Sequence, residues 1–243
     1  MPEPTLLLTR PEPAARRFLA ELEIRAGRHL KAVIAPLMRI DEMTPPRPAR
    51  SPAALILTSE RGAWGAARMG YTGLPAWCVG PRTAQAARLA GLDPRPGGGT
   101  AETLLAAILK APDEGPLLHL RGDHQRGDLA DRLRAAGRGC DEAVVYAQTA
   151  RPLSEAGRHL LSGRTPVVAP VFSPRSAALL AACAPIAAPL ALVAISSAAA
   201  RPLSKLGPRV TLAARPDADA MIDATLEAHA TFGCRDPMRG GGA

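Results

Sequence analysis

A two-part pattern occurs twice in this chain, about 115 residues apart, and it restricts the fold to a repeated arrangement of strands and helices. Each copy holds an apolar run ending in a hydroxyl-rich turn, then a second apolar run that opens a small-residue helix. The first reads Ala54-Leu-Ile-Leu-Thr-Ser59, followed by Trp77-Cys-Val-Gly80-Pro81-Arg82-Thr83-Ala84. The second reads Val167-Val-Ala-Pro-Val-Phe-Ser173-Pro174, followed by Leu192-Val-Ala-Ile195-Ser196-Ser197-Ala198-Ala199-Ala200. Register is kept within the copies. Thr58-Ser59-Glu60-Arg61-Gly62-Ala63 matches Phe172-Ser173-Pro174-Arg175-Ser176-Ala177 in shape, and Val79 to Gly91 spans the same twelve steps as Ile195 to Gly207. Two similar α/β domains facing one ligand are the implied architecture. The plainer explanation is that any α/β protein yields apolar strands followed by Ser or Gly caps.

Short apolar runs alternate with helical patterns along nearly the whole length, the mark of βα units and parallel sheets flanked by helices. Strands are expected near Thr5 to Thr9, Leu30 to Ile34, Ala54 to Thr58, Ala76 to Gly80, Leu117 to Arg121, Ala143 to Tyr146, Val167 to Phe172, Leu190 to Ile195 and Val210 to Ala213. Helix starts carry Thr9-Arg10 before Pro11, Gly80 before Pro81, Ser173 before Pro174 and Asp217 before Ala218. Glycines at 27, 70, 91 and 137 supply the left-handed closure at helix ends. Pro36 to Arg50, with four prolines, and Ala147 to Pro152 read as connections between two bodies. If both join the same pair, one domain is the continuous stretch 38–148. The other, 1–36 with 150–232, is then assembled from both ends. The Gly-rich stretch 233–243 is expected to be a disordered tail.

Composition narrows the function. Hydrophobic residues make up 47% of the chain but aromatics only 3%, so the core has to be built from Leu, Ala, Val and Ile. The formal charge of +8 comes from Arg far more than Lys, which favours planar recognition of anions. There is no basic run, aromatic platform or helix-turn-helix signature to make nucleic acid the partner. Cys78, Cys140, Cys183 and Cys234 are scattered without C-x-x-C spacing, so neither a metal nor a disulfide framework is signalled, and reduced thiols of a cytoplasmic protein are expected. The first ten residues read as a strand rather than a signal peptide. Ser176 to Ala200 carries no charge, but Pro185 and Pro189 and its alanine content argue for a buried helix, turn and strand instead of a membrane span.

Helix N-termini in an open α/β sheet gather at the carboxyl ends of the strands, where unpaired N–H groups favour anions. Here those ends carry Thr9 and Arg10, Thr58 and Ser59, Thr83, Arg121 with Gly122, Ser173, and Ser196 with Ser197. Any one hydroxyl alone is explained by capping its own helix; the same layout in both halves points to a carboxylate or phosphate ligand. Gly97-Gly98-Gly99 lacks the fuller dinucleotide fingerprint, and no phosphate loop is present. The five histidines show no ligand spacing, and there is no nucleophile elbow. Tyr146, one of two tyrosines, stands at a strand's carboxyl end before a connection. It is either a proton donor into a cleft or a hinge residue with its hydroxyl satisfied locally.

Leu-Leu-Leu-Thr9-Arg10-Pro11, Leu-Thr58-Ser59, Cys-Val79-Gly80-x-x-Thr83-Ala84, His-Leu-Arg121-Gly122, Val144-Val145-Tyr146 and Val-Phe172-Ser173-Pro174 occur in the order seen in uroporphyrinogen-III synthases, and the chain resembles that family over about residues 5 to 230. The resemblance implies two α/β domains joined by a two-stranded connection, a cleft between them and no cofactor or metal. It also implies a cytoplasmic monomer acting on hydroxymethylbilane, with transient contact with the preceding pathway enzyme and none with nucleic acid or membrane. By the same resemblance Tyr146 is the proton donor to the leaving hydroxyl. Thr83, Ser59, Ser173, Gly80 and Ala84 hold the substrate's carboxylate arms, and Arg10, Arg121 and Gly122 are further contacts. Two positions depart from the family pattern: Arg61 stands where Asn is usual, and Ser196 to Ala200 replaces the second Gly-x-x-Thr-Ala, so binding there is expected to rest on Ser196 and Ser197. A non-catalytic two-domain binder of small anions is the alternative.

Overall fold

The computed structural model describes residues 2–124, 127–207 and 210–234. In chain order the elements are β1 (Thr5–Leu8), α1 (Glu12–Ala26), β2 (Ala32–Ile34), β3 (Met38–Glu42), β4 (Ala54–Leu57), α2 (Glu60–Arg68), β5 (Pro75–Cys78), α3 (Pro81–Leu89), β6 (Asp93–Pro96), α4 (Ala101–Lys110), β7 (Leu117–Gly122), α5 (Leu129–Ala135) and β8 (Cys140–Ala150). They continue as α6 (Glu155–Ser162), β9 (Val167–Val171), α7 (Pro174–Ala181), β10 (Leu190–Ala194), α8 (Ser197–Ala200), a 3-10 turn (Arg201–Leu206), β11 (Val210–Leu212) and α9 (Ala218–Cys234). Two compact units result: Met1–Arg39 with Ala150–Ala243, and Ile40–Thr149.

The middle unit's sheet runs β3-β8-β7-β4-β5-β6, and that of the unit built from both ends runs β11-β10-β9-β1-β2. Set β4 on β9 and the orders coincide, β8-β7-β4-β5-β6 against β2-β1-β9-β10-β11. The repeat seen in the sequence is thus a whole-unit repeat that is circularly permuted, the chain beginning with what the middle unit places fourth. All registered pairs within these two five-strand sets are parallel. The central strands β4 and β9 are buried at every position, as strands covered on both faces require.

Capping geometry carries the repeat to the atom. Ser59 and Ser173 start α2 and α7 with φ of −157° and −159°, each accepting the N–H three residues on. Gly80 and Ser196 start α3 and α8 with φ of −157° and −162°. Gly91 and Gly207, twelve steps past Val79 and Ile195, both close their helices in positive φ.

Small residues let α2 lie close on its sheet. Gly62, Ala63, Gly65 and Ala66 form its buried face. A Cβ on Gly62 would stand 2.8 Å from the Leu120 carbonyl oxygen, and one on Gly65 would stand 2.5 Å from Val145. Each glycine weakens an isolated helix by about 1 kcal/mol. The close approach offsets this by packing α2 on Leu57, Leu120 and Val145, all fully buried in one cluster. A second cluster, built on Ile56, Leu117 and the apolar faces of α4 and α5, covers the other face of this sheet.

Three expectations need correction. Pro36 to Arg50 is not all connection, because Met38–Glu42 is strand β3, and β8 continues through Ala147 to Ala150 beside it. Backbone bonds from Met43 to Val145 and from Arg151 to Leu37 run in opposite order along the two segments, so this pair is antiparallel. Strand β6 has no counterpart among the expected strands. Gly233 and Cys234 end helix α9 rather than open a tail, and residues 235–243 lie outside the described residues. Ser176 to Ala200 contributes to α7, β10 and α8, and among the described residues no helix is long and apolar enough to cross a membrane.

Candidate active site

At the carboxyl edge of the middle unit's sheet, one irregularity decides where a phenol points. Arg121 pairs with Val144 but Gly122 pairs with Tyr146, so β8 skips a residue against β7. Strict alternation would send Val145 and Tyr146 to opposite faces. The skip instead lets both pack on the cluster beneath α2, which is how bulges re-aim side chains. The Tyr146 ring lies over Gly122, where a Cβ would meet ring atoms at 2.6 and 2.7 Å. Its hydroxyl is 3.3 Å from the Ser59 Oγ, the N-cap of α2. Asp123 secures this stretch, donating its N–H to the Tyr146 carbonyl at 3.0 Å and accepting the Gln148 N–H at 3.0 Å. Burial alone would raise the Asp123 carboxyl; hydrogen bonds from His124 and Gln148 outweigh it and hold the group below the usual range.

Strand β5 neighbours β4 in the sheet and α3 packs on α2, with an Arg82–Glu60 ion pair at 3.4 Å between their first turns. No side chain caps α3, since its N-cap is Gly80, and a Cβ there would meet nothing within 4 Å. Thr83, in the first turn, is buried, and the Ala84 N–H is taken by the Gly80 carbonyl at 3.0 Å. This helix start combines open space with first-turn amides and a partial positive charge.

Behind that edge lies a polar set in a buried setting. His119 is 3% exposed, with Nε2 3.3 Å from Thr58 Oγ1 and Nδ1 3.7 Å from Glu142 Oε1. Burial pushes this imidazole down to about 4, the Glu142 carboxylate opposing in part. Arg121 donates Nε–H to Glu142 Oε1 at 2.7 Å and Nη1–H to the Gly122 carbonyl at 2.9 Å, so its guanidinium is already engaged.

In the other unit, Ser173 Oγ lies 2.7 Å from Ser176 Oγ and accepts the Ser176 N–H at 3.1 Å. Ser196 Oγ accepts the Ala199 N–H at 3.3 Å, and Ser197 is exposed. The Arg10 guanidinium sits over the Phe172 ring at 3.9 Å. Set on the repeat, Arg10 and Arg121 occupy matching positions.

The family model for uroporphyrinogen-III synthase HemD matches residues 19–223. The chain belongs to the uroporphyrinogen-III synthase family. Members of this family cyclise hydroxymethylbilane, and the chain is a lyase of tetrapyrrole biosynthesis. A crystal structure of uroporphyrinogen-III synthetase from Helicobacter pylori 26695 is similar in fold, with TM-score 0.67 at 16% identity over 93% of this chain and 99% of that one. A mutant uroporphyrinogen III synthase from the extremely thermophilic bacterium Thermus thermophilus gives TM-score 0.52 at 16% identity over 94% and 99%. No curated protein matches the chain in sequence.

Of the synthase residues expected from sequence, the structure brings Tyr146, Ser59, Gly122 and Arg121 to one place, with Gly80, Thr83 and Ala84 at the start of the adjoining helix. Ser173, Ser196, Ser197 and Arg10 belong to the other unit. His119, Glu142 and Asp123 are members of this site that sequence reasoning misses. A signal for His119 is present, as a polar side chain inside the otherwise apolar run Leu117-Leu118-His119-Leu120.

Proposed function

We propose that Tyr146 donates its phenolic proton to the departing hydroxyl of hydroxymethylbilane, and that the helix starts hold the substrate's carboxylate arms. The Ser59–Tyr146 contact carries this reading, because the Ser59 Oγ 3.3 Å away places the phenol at the strand edge beside the start of α2, where a carboxylate-bearing substrate would dock. The C–O bond on ring A breaks as a pyrrole nitrogen lone pair pushes in, and the oxygen takes the Tyr146 proton and leaves as water. The substituted α-carbon of ring D attacks the azafulvene to give a spiro intermediate, which fragments and recloses at the other α-carbon. Loss of the ring proton restores aromaticity and supplies one proton back to the phenolate. The electrons come from the substrate's own pyrroles, so the reading invokes no cofactor.

Positioning and charge are then what the protein contributes. First-turn amides and hydroxyls at Ser59 and at Gly80 to Ala84 receive carboxylate arms, and Ser173, Ser196 and Ser197 receive others. Arg10 and Arg121 add positive charge, Arg121 through an already formed pair. The protein works as a cytoplasmic monomer, in transient contact with the preceding pathway enzyme. The test is product analysis after incubation with enzymically generated hydroxymethylbilane. Isomer III in excess of the spontaneous isomer I is expected, and isomer I alone sinks the reading.

A further inference from the structure

Three positions of the two sheets coincide when Ser59 is set on Ser173, and they differ in chemistry. In the middle unit Ile56 pairs with His119 and His119 with Glu142, while Thr58 precedes the cap. In the other unit Leu8 pairs with Ile34, and the register Thr5 to Val167 and Leu6 to Val168, carried two residues on, puts Leu8 beside Pro170, the counterpart of Ile56. The counterparts of His119, Glu142 and Thr58 are therefore Leu8, Ile34 and Phe172. Those three apolar side chains share one core cluster.

The fold accepts an apolar set at this place, so the polar set calls for a role beyond packing. Burying an imidazole with an unsatisfied ring nitrogen is costly, and among the described residues His119 Nδ1 has no hydrogen-bond partner. The Glu142 carboxylate at 3.7 Å nevertheless fixes the tautomer, since an N–H dipole facing an anion is favoured over a lone pair facing it. With the proton on Nδ1, Nε2 is an acceptor, and the Thr58 hydroxyl has to donate to it across 3.3 Å. Arg121, paired to the same Glu142 oxygen at 2.7 Å, holds that carboxylate in place.

We propose that His119 is a positioning residue that accepts the Thr58 hydroxyl hydrogen bond, so that the hydroxyl oxygen of the half-buried Thr58 at the carboxyl edge of β4 presents only lone pairs and receives a pyrrole N–H of the bound linear tetrapyrrole. This rests on the reading of the substrate given above. Thr58 then divides the labour with its neighbours on the same edge. Ser59 and the α3 start take carboxylates, which an acceptor-only hydroxyl rejects, and Thr58 takes the ring nitrogens. A carboxylate arm slipped into the Thr58 position would meet oxygen lone pairs, so the set also fixes which part of the chain of rings lies there.

The experiment measures KM and kcat for isomer III formation by wild type, His119→Leu, Thr58→Val, the double variant and His119→Gln, with a thermal melt of each. His119→Leu copies Leu8 of the other unit. It and Thr58→Val are each expected to raise KM about 5- to 10-fold with kcat within about 2-fold, the size of one lost hydrogen bond. The double variant is expected to be no worse than either single, and His119→Gln, whose side-chain oxygen can accept the same proton, to recover most of the loss. Unchanged KM in His119→Leu overturns the proposal, as do single effects that multiply in the double. Should His119→Leu fail to fold, Thr58→Val and His119→Gln decide alone. Histidine nitrogen NMR of the wild type gives an independent reading, an Nδ1–H tautomer being expected and an Nε2–H tautomer overturning it. A wild type that forms no isomer III would instead overturn the proposed function, which keeps the two failures apart.

Discussion

Replacing Gly122 by alanine places a methyl group where the Tyr146 ring now lies. The added Cβ would be 2.6 Å from Cε2, 2.7 Å from Cζ and 3.0 Å from the hydroxyl oxygen. Carbon atoms rest at about 3.5–4.0 Å, so the ring has to retreat by about 1 Å. Gly122 has no positive φ, so the backbone itself accepts alanine. Because the displaced atoms sit at the end of a side chain at the sheet edge, the fold is expected to lose only about 1–3 kcal/mol. Function is expected to lose more. The Ser59–Tyr146 contact, at 3.3 Å, is already beyond the usual O–H···O range, and a shift of about 1 Å breaks it. Misplacement of a catalytic group by that distance costs about 100-fold in rate. The assay is the single-turnover rate of isomer III formation at a temperature well below the melt of the variant. A Gly122→Ala protein with the wild-type rate would refute the claim that this glycine sets the position of the phenol, whatever its melting point.

Thr83→Ala removes a hydroxyl from the first turn of α3 while improving helix propensity. Substrate KM is expected to rise about 10-fold with stability held within about 1 kcal/mol, and equal KM values would take Thr83 out of the binding site. Acid stability reports on His119. Its folded value, about 4 against 6.5 for the free group, means that the unfolded chain binds more protons between those values, so stability is full above about pH 6.5 and is lost as pH falls towards 4, by about 3 kcal/mol in all. Denaturant titrations of wild type and His119→Leu at pH 7 and pH 4.5 check this; the variant is expected to lose less on acidification, and equal losses would contradict the assignment.

How far the sequence can be read depends on how strongly each element states its period. Ala54–Leu57 and Val167–Val171 are continuous apolar runs bounded by Ser caps, and they emerge as the central strands. Strand β6, Asp93–Pro96, is illegible because an edge strand tolerates the two prolines and charges that argue against strand elsewhere. Strand β3 is hidden in the same way, in a proline-rich and charged stretch whose partner is the end of β8. Tyr146, Ser59 and Gly122 are each nameable from their places at strand and helix ends. Their meeting is not, because it needs the skipped residue in β8, and a bulge has no period to read. His119 lacks metal-ligand spacing, and its place within an apolar strand is the signal that matters instead. The circular permutation of the repeat is equally hidden, since Thr5 to Arg10 and Pro116 to Arg121, which share a place in the sheet, match only in a Leu-Leu pair and an Arg and stand at different points in the chain order of their units.

The central claim is that the Tyr146 phenol, placed beside Ser59, assists departure of the substrate hydroxyl. Single-turnover isomer III formation by Tyr146→Phe, with hydroxymethylbilane affinity measured alongside, tests it most directly. The account predicts a chemical step slowed by about 10- to 1000-fold with affinity within about 3-fold of wild type. An unchanged rate, or a loss confined to affinity, would contradict it.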